Sequence, residues 1–194
     1  MDKNKDHVSI WCIVSLTSIP LIMTLGNSML IPVLPILEDK VGITSFQSSM
    51  IITSYSVAAI FLIPVAGYLS DRFGRKVVIL PSLILALIGG LIAGFASWKM
   101  DDPYTMIIIG RIIQGIGAAG AMPIVLPLVG DLYQDDDEKI SSTLGIIETS
   151  NTFGKVLSPI LGSVFAAILW FLPFFSISAL SLISIALIFF FVKV

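Results

Sequence analysis

The sequence predicts an all-α membrane protein in which six transmembrane helices form two inverted three-helix repeats. Three observations predict it. First, 56% of the 194 residues are hydrophobic and 12% are charged, with a mean hydropathy of +1.01, whereas soluble domains carry about 25% charged residues. A water-soluble fold could not cover that much apolar surface, so the bilayer is the solvent for most of the chain. Second, six stretches each supply the roughly 20 apolar residues that a helix needs to cross the hydrocarbon core. They lack the alternating pattern of barrel strands, which span with about 9–11 residues. Third, proline and glycine recur in matching places in the two halves of the chain.

The spans are expected at 9–37, 42–69, 77–98, 104–130, 140–168 and 169–192, all within one bundle over 1–194. Span one carries no charge from Val8 to Leu37. That is far longer than the apolar region of a signal peptide, about 7–15 residues, so a spanning helix is expected there in place of a cleaved leader. Spans two and three are divided by the basic run Arg72–Lys76, spans three and four by Lys99, Asp101 and Asp102, and spans four and five by the acidic run Asp135–Glu138. No charge marks the turn between spans five and six; Trp170 and Pro173 place it.

Orientation follows from Lys and Arg. With the amino terminus in the cytoplasm, Lys3, Lys5, Arg72, Arg75, Lys76, Lys139 and Lys193 lie inside and only Lys40 and Lys99 outside, which leaves Arg111 and Lys155 within the membrane. Both termini are therefore expected to be cytoplasmic, in a multi-pass protein of the cell membrane. The repeat is read from span one, where Gly26 precedes Pro32 by six residues and Pro35 follows, and from span four, where Gly117 precedes Pro123 by six and Pro127 follows. Pro64 and Gly67 of span two likewise match Pro159 and Gly162 of span five. Three crossings are an odd number, so the second triplet is inverted, as in secondary transporters.

Several functions are excluded by composition. A net charge of −2 does not suggest nucleic acid, the lone Cys12 builds no disulfide framework, and no Cys/His cluster has metal-ligand spacing. With His7 the only histidine, neither a zinc site nor a Ser/His dyad can be built. The soluble segments leave no room for a catalytic domain, so an enzyme is not expected, and no cofactor is implied.

Charged residues inside the spans carry the functional reading. An ionised side chain at the bilayer centre costs at least about 2.5–3.5 kcal/mol, so Arg111, Glu148 and Lys155 need a reason. At 1.5 Å per residue, Arg111 lies roughly 12 Å from the outer end of span four and Glu148 at a similar depth from the other side; adjacent antiparallel helices would let them face each other. Gln114 shares the Arg111 face. Glu148, Asn151 or Thr152, and Lys155 form one polar stripe on span five, beside the small residues Gly154, Ser158 and Gly162. Two explanations stand: an ion-pair network that fixes helix packing, or a site for protons or substrate.

The loop Gly67-Tyr68-Leu69-Ser70-Asp71-Arg72-Phe73-Gly74-Arg75-Lys76 places basic residues beside an Asp at the membrane edge. Gly67 would admit a close helix neighbour and Gly74 a tight reversal. Three basic residues alone would be a positive-inside anchor. The ordered glycines and Asp71 go further: position by position, the loop resembles the G-x-x-x-D-R-x-G-R-K signature of the major facilitator superfamily. Gly110-Arg111-Ile112-Ile113-Gln114-Gly115-Ile116-Gly117 is similar to the family's R-x-x-Q-G-x-G element. Gly26-Asn27 through Pro35 is similar to the first-helix pattern of the twelve-span drug:proton antiporters. Gly154-Lys155-Val156-Leu157-Ser158-Pro159-Ile160-Leu161-Gly162-Ser163 resembles the antiporter element of span five, but departs at Ser158 and Ser163, where the family usually has glycine.

The resemblance implies the amino-terminal half of a major facilitator fold, working by proton-coupled efflux of drugs or other lipophilic small molecules. Sugar or metabolite carriage is the alternative within the superfamily. It implies that Asp71 and Arg75, flanked by Arg72 and Lys76, join Asp131 in a cytoplasmic charge cluster that holds the closed state. It further implies that Arg111 takes part in proton coupling, and that Gly115, Gly154, Pro159 and Gly162 serve helix packing and bending. The expected partners are the bilayer, a small-molecule substrate, protons and a carboxy-terminal six-helix half, since the chain stops just after span six. Without that half, an inactive truncated carrier is the other expectation.

Overall fold

The computed structural model describes residues 8–134 and 136–192. Lys3, Lys5 and Lys193 of the orientation argument, Asp135 of the acidic loop and the lone histidine His7 lie outside the described residues. Among the described residues every regular element is helical, and six helices are long and apolar enough to cross a membrane.

Spans one and four are not the single rods expected. Span one is α1 (Ile10–Ser28), a 3-10 turn (Ile31–Val33) and α2 (Leu34–Val41); span four is α5 (Tyr104–Ala121) and α6 (Val125–Tyr133). Proline has no N–H to give the preceding turn, and its ring crowds the carbonyl four residues back. Pro32 lies in the 3-10 turn, Pro35 in the first turn of α2, Pro123 in the break of span four and Pro127 in the first turn of α6. The repeated prolines therefore mark a repeated break. α2 runs on to Val41 and stops at Gly42, whose φ of 72° is left-handed. Span two therefore starts later than expected, as α3 (Ser45–Phe73). A capping box opens it: Thr44 Oγ1 accepts from the Gln47 N–H at 3.3 Å and Gln47 Oε1 from the Thr44 N–H at 2.9 Å.

Gly74, at φ 100°, is the whole connection from α3 to α4 (Arg75–Lys99). α7 (Asp137–Ile168) opens under the Asp136 carboxylate, which accepts from the Lys139 N–H at 3.0 Å, and it runs unbroken through Pro159. α8 (Leu172–Phe191) begins around Pro173.

Neighbour relations reveal the repeat more fully than composition does. Span one packs on spans five and six, span four on two and three, and spans three and six on each other. Spans one and two meet through α2 and α3, spans four and five through α6 and α7. Exchanging one with four, two with five and three with six leaves these relations unchanged, as a two-fold axis in the membrane plane requires.

Small residues let the backbones approach. A Cβ on Gly115 would sit 2.2 Å from the Tyr55 carbonyl oxygen of span two, and one on Gly162 would sit 2.2 Å from the Met29 carbonyl oxygen of span one. Gly154 fits against Leu21, 3.1 Å from such a Cβ. Gly67 departs from expectation: a Cβ there would meet nothing within 4 Å, although its neighbour Ala66 is buried in the core. At the end of the bundle opposite Arg75, Phe95 and Phe175 meet edge to face at 5.1 Å, Phe171 stacks on Trp98 at 6.3 Å, and Lys99 lies 4.1 Å above Trp98. Such an aromatic belt suits a membrane–water interface.

Candidate functional site

Two polar groups lie within the spans, one on each side of span one. The first centres on Arg111, which is fully buried. The close approach of α5 to α3 at Gly115 brings its side chain within reach of the α3 backbone. Nε donates to the Ile51 carbonyl at 3.2 Å, Nη1 to Gln114 Oε1 at 2.6 Å and Nη2 to Asn27 Oδ1 at 2.6 Å. The Tyr55 ring covers the guanidinium at 4.4 Å. No carboxylate pairs with it among the described residues. Three hydrogen bonds to a charged group, each contributing about 1.5–3 kcal/mol, exceed the insertion cost of about 2.5–3.5 kcal/mol without a counter-ion. The Gln114 amide nitrogen is buried with no partner.

The second group belongs to span five. Asn151 is the buried member of the pair Asn151/Thr152, and Thr152 is exposed. The Thr24 hydroxyl of span one donates to Asn151 Oδ1, and Asn151 Nδ2 donates to the Glu148 oxygens at 3.2 and 3.3 Å. Glu148 and Lys155 are exposed, and neither forms an ion pair among the described residues. Seven residues of helix separate them by about 10 Å, beyond salt-bridge reach.

Glu148 and Arg111 do not face each other, contrary to expectation. Their helices are not neighbours along this stretch: span four leans on two and three, span five on one and six, and span one stands between. Thr24, Asn27 and Tyr55 were not singled out in the sequence. Asn27 lay inside the span-one motif and Thr24 three residues before it, a same-face spacing that could have drawn attention. Nothing in the sequence marks a backbone acceptor such as the Ile51 carbonyl.

At the other charged locus, Arg75 bridges two carboxylates. Its Nε lies 2.9 Å from Asp131 Oδ2, and its Nη1 contacts Asp71 and, at 2.8 Å, the Ser70 hydroxyl. Arg72 and Lys76, expected beside them, turn elsewhere. Arg72 donates to the Tyr68 hydroxyl at 3.2 Å and lies over Phe73. Lys76 donates to the Phe189 carbonyl at 3.3 Å and to that of Val192. The end of α8 presents orphan carbonyls that attract a cation, whereas Asp71 and Asp131 are already held by Arg75.

Residues 16–194 match the profile of the Major Facilitator Superfamily. The chain is 64% identical over 162 residues to the bacillibactin exporter of Bacillus subtilis (strain 168), a match covering 84% of this chain and 40% of that protein. It is 24% identical over 160 residues to the quinolone resistance protein NorA of Staphylococcus aureus (strain N315), covering 82% of this chain and 39% of that one. Among solved structures, the inward-open xylose transporter XylE from E. coli shares the fold, with a TM-score of 0.78 at 16% identity over 91% of this chain and 47% of that one. The chain thus spans less than half the length of each of these relatives. With six apolar helices in the arrangement of half a major facilitator fold, it is a multi-pass membrane protein and belongs to the Major Facilitator Superfamily.

Proposed function

We propose that the chain forms the amino-terminal half of a secondary exporter in the cell membrane, with both termini cytoplasmic. In it, a proton exchanged at Glu148 drives efflux of a small molecule by alternating access, and Arg111 modulates that exchange. One observation carries this: Glu148, Thr152 and Lys155, deep in span five, are exposed on a face that no other described span of the bundle covers, while Asn151 of the same polar stripe turns inward. Such a face is costly against lipid and suits a water-filled cavity shared with a second six-helix bundle. The chain's coverage of only 40% of the bacillibactin exporter agrees with a need for that second bundle.

The name of that relative makes bacillibactin the first substrate to try, and the name of NorA adds quinolones. The Arg75 bridge between Asp71 and Asp131 is assigned to closure of the cytoplasmic side, where it ties the hairpin after span two to the end of span four. The test is uptake of bacillibactin by everted vesicles on imposing a pH gradient, acid inside. The chain with a carboxy-terminal half should accumulate it and the chain alone should not. No accumulation of bacillibactin or a quinolone by the completed carrier would overturn the proposal.

A further inference from the structure

Glu148 and Arg111 never meet, yet both are tethered to the last turn of α1. Thr24 holds Asn151, which holds Glu148. Three residues later Asn27 accepts from Arg111 at 2.6 Å, and positions three apart are neighbours on a helix surface. One residue after Asn27, α1 ends at Ser28 and the break of span one begins. Gly162 of span five packs on the Met29 carbonyl at that break. Both tethers therefore grip a short turn next to the point where the helix of span one is interrupted.

We infer that Thr24 and Asn27 make this final turn of α1 the mechanical connection between Glu148 and Arg111, with Thr24 positioning Glu148 through Asn151. It rests on Glu148 being the proton-exchanging group proposed above.

Hydrogen-bond polarity supplies the reason. With Oδ1 held by the Thr24 hydroxyl, the Asn151 amide presents N–H to Glu148, which suits an ionised carboxylate that can only accept. A protonated carboxyl brings one donor of its own. The amide then pairs better turned over, with Oδ1 toward Glu148 and Nδ2 toward Thr24, whose hydroxyl accepts as readily as it donates. The hydroxyl hydrogen so released goes to the helix carbonyl one turn earlier, a bond that bends helices. A proton at Glu148 is thereby felt in the backbone of α1, and a shift of its last turn carries Asn27 along Arg111. Few charges intervene. Lys155 lies two turns along the same helix, span one has no titratable group between Cys12 and Glu38, and span six has none between Leu172 and Phe191. α6 brings Asp131, bound to Arg75, and Tyr133.

The test uses the completed carrier in everted vesicles, with bacillibactin as the probe. Thr24→Val keeps the shape and removes the hydroxyl; it should lower the maximal proton-driven rate about tenfold with KM changed less than about twofold, and Thr24→Ser should restore most of it. Asn27→Leu should act alike, and the double variant should be no worse than the worse single one, because one connection can be cut only once. Effects that multiply assign two separate local roles and overturn the inference. So does a Thr24→Val protein absent from the membrane, or one whose loss Thr24→Ser does not repair, since the hydroxyl is then a packing feature. Glu148→Gln separates the two levels. If it transports as wild type, the proton reading fails; if it is inactive while Thr24→Val is unimpaired, only the connection fails.

Discussion

Gly115→Ala is a one-carbon perturbation whose cost can be worked from the structure. The added Cβ would lie 2.2 Å from the Tyr55 carbonyl oxygen and 3.0 Å from Ala58 Cβ. Ordinary contact begins near 3.4 Å, and the nearest obstacle is backbone that no rotamer change can remove. Spans two and four must therefore part by about 1 Å. Overpacking of this kind costs about 1–3 kcal/mol. The same separation stretches the 3.2 Å bond from Arg111 to the Ile51 carbonyl, whose loss adds about 1.5–3 kcal/mol for a charged donor. Alanine returns up to about 1 kcal/mol in helix propensity. The net loss is about 2–5 kcal/mol, or roughly 4–20 °C in melting temperature for a chain of this size. The assay is thermal unfolding of the purified chain in detergent, with Gly67→Ala as the control. Gly67 meets nothing within 4 Å, so its alanine should be neutral or slightly stabilising. If Gly115→Ala melts with Gly67→Ala, the tight contact of spans two and four is wrong.

Two further outcomes follow from the loops. Arg75→Gln removes both ion pairs of a site where the carboxylate side chains are 66% and 51% exposed. Such pairs contribute about 0–1 kcal/mol, so the melting temperature should barely move while transport by the completed carrier falls; a large loss of stability would make the cluster structural. Asp136 accepts from the Lys139 ammonium and backbone N–H, which hold its carboxyl below the ordinary 3.8. A lowered carboxyl stabilises above its unfolded value and loses that contribution as pH falls through the folded one. Asp136→Asn should therefore be the less stable protein at neutral pH and match the wild type in strong acid, checked by melting curves across that range.

The six spans were legible because hydropathy reports the solvent of each segment directly. Hydropathy is silent on backbone course, so Pro32 and Pro123 were read only as marks of a repeat, although each sits where a span breaks. Arg111 and Glu148 stood out because charge in hydrocarbon is expensive wherever it lies. Their partners did not, since Asn27, Thr24 and the Ile51 carbonyl become neighbours only once it is known which span packs on which. Gly67 and Gly162 look equivalent in the repeat, yet only Gly162 has a backbone against it. Lys76 carried a charge suited to the Asp71 locus and found carbonyls at the end of α8 instead.

Proton release measured from liposomes holding the completed carrier tests the role of Glu148 most directly. Adding substrate to the wild type should move protons in the opposite direction, and Glu148→Gln, present in equal amount, should move none. Proton movement of wild-type size in Glu148→Gln would contradict the account.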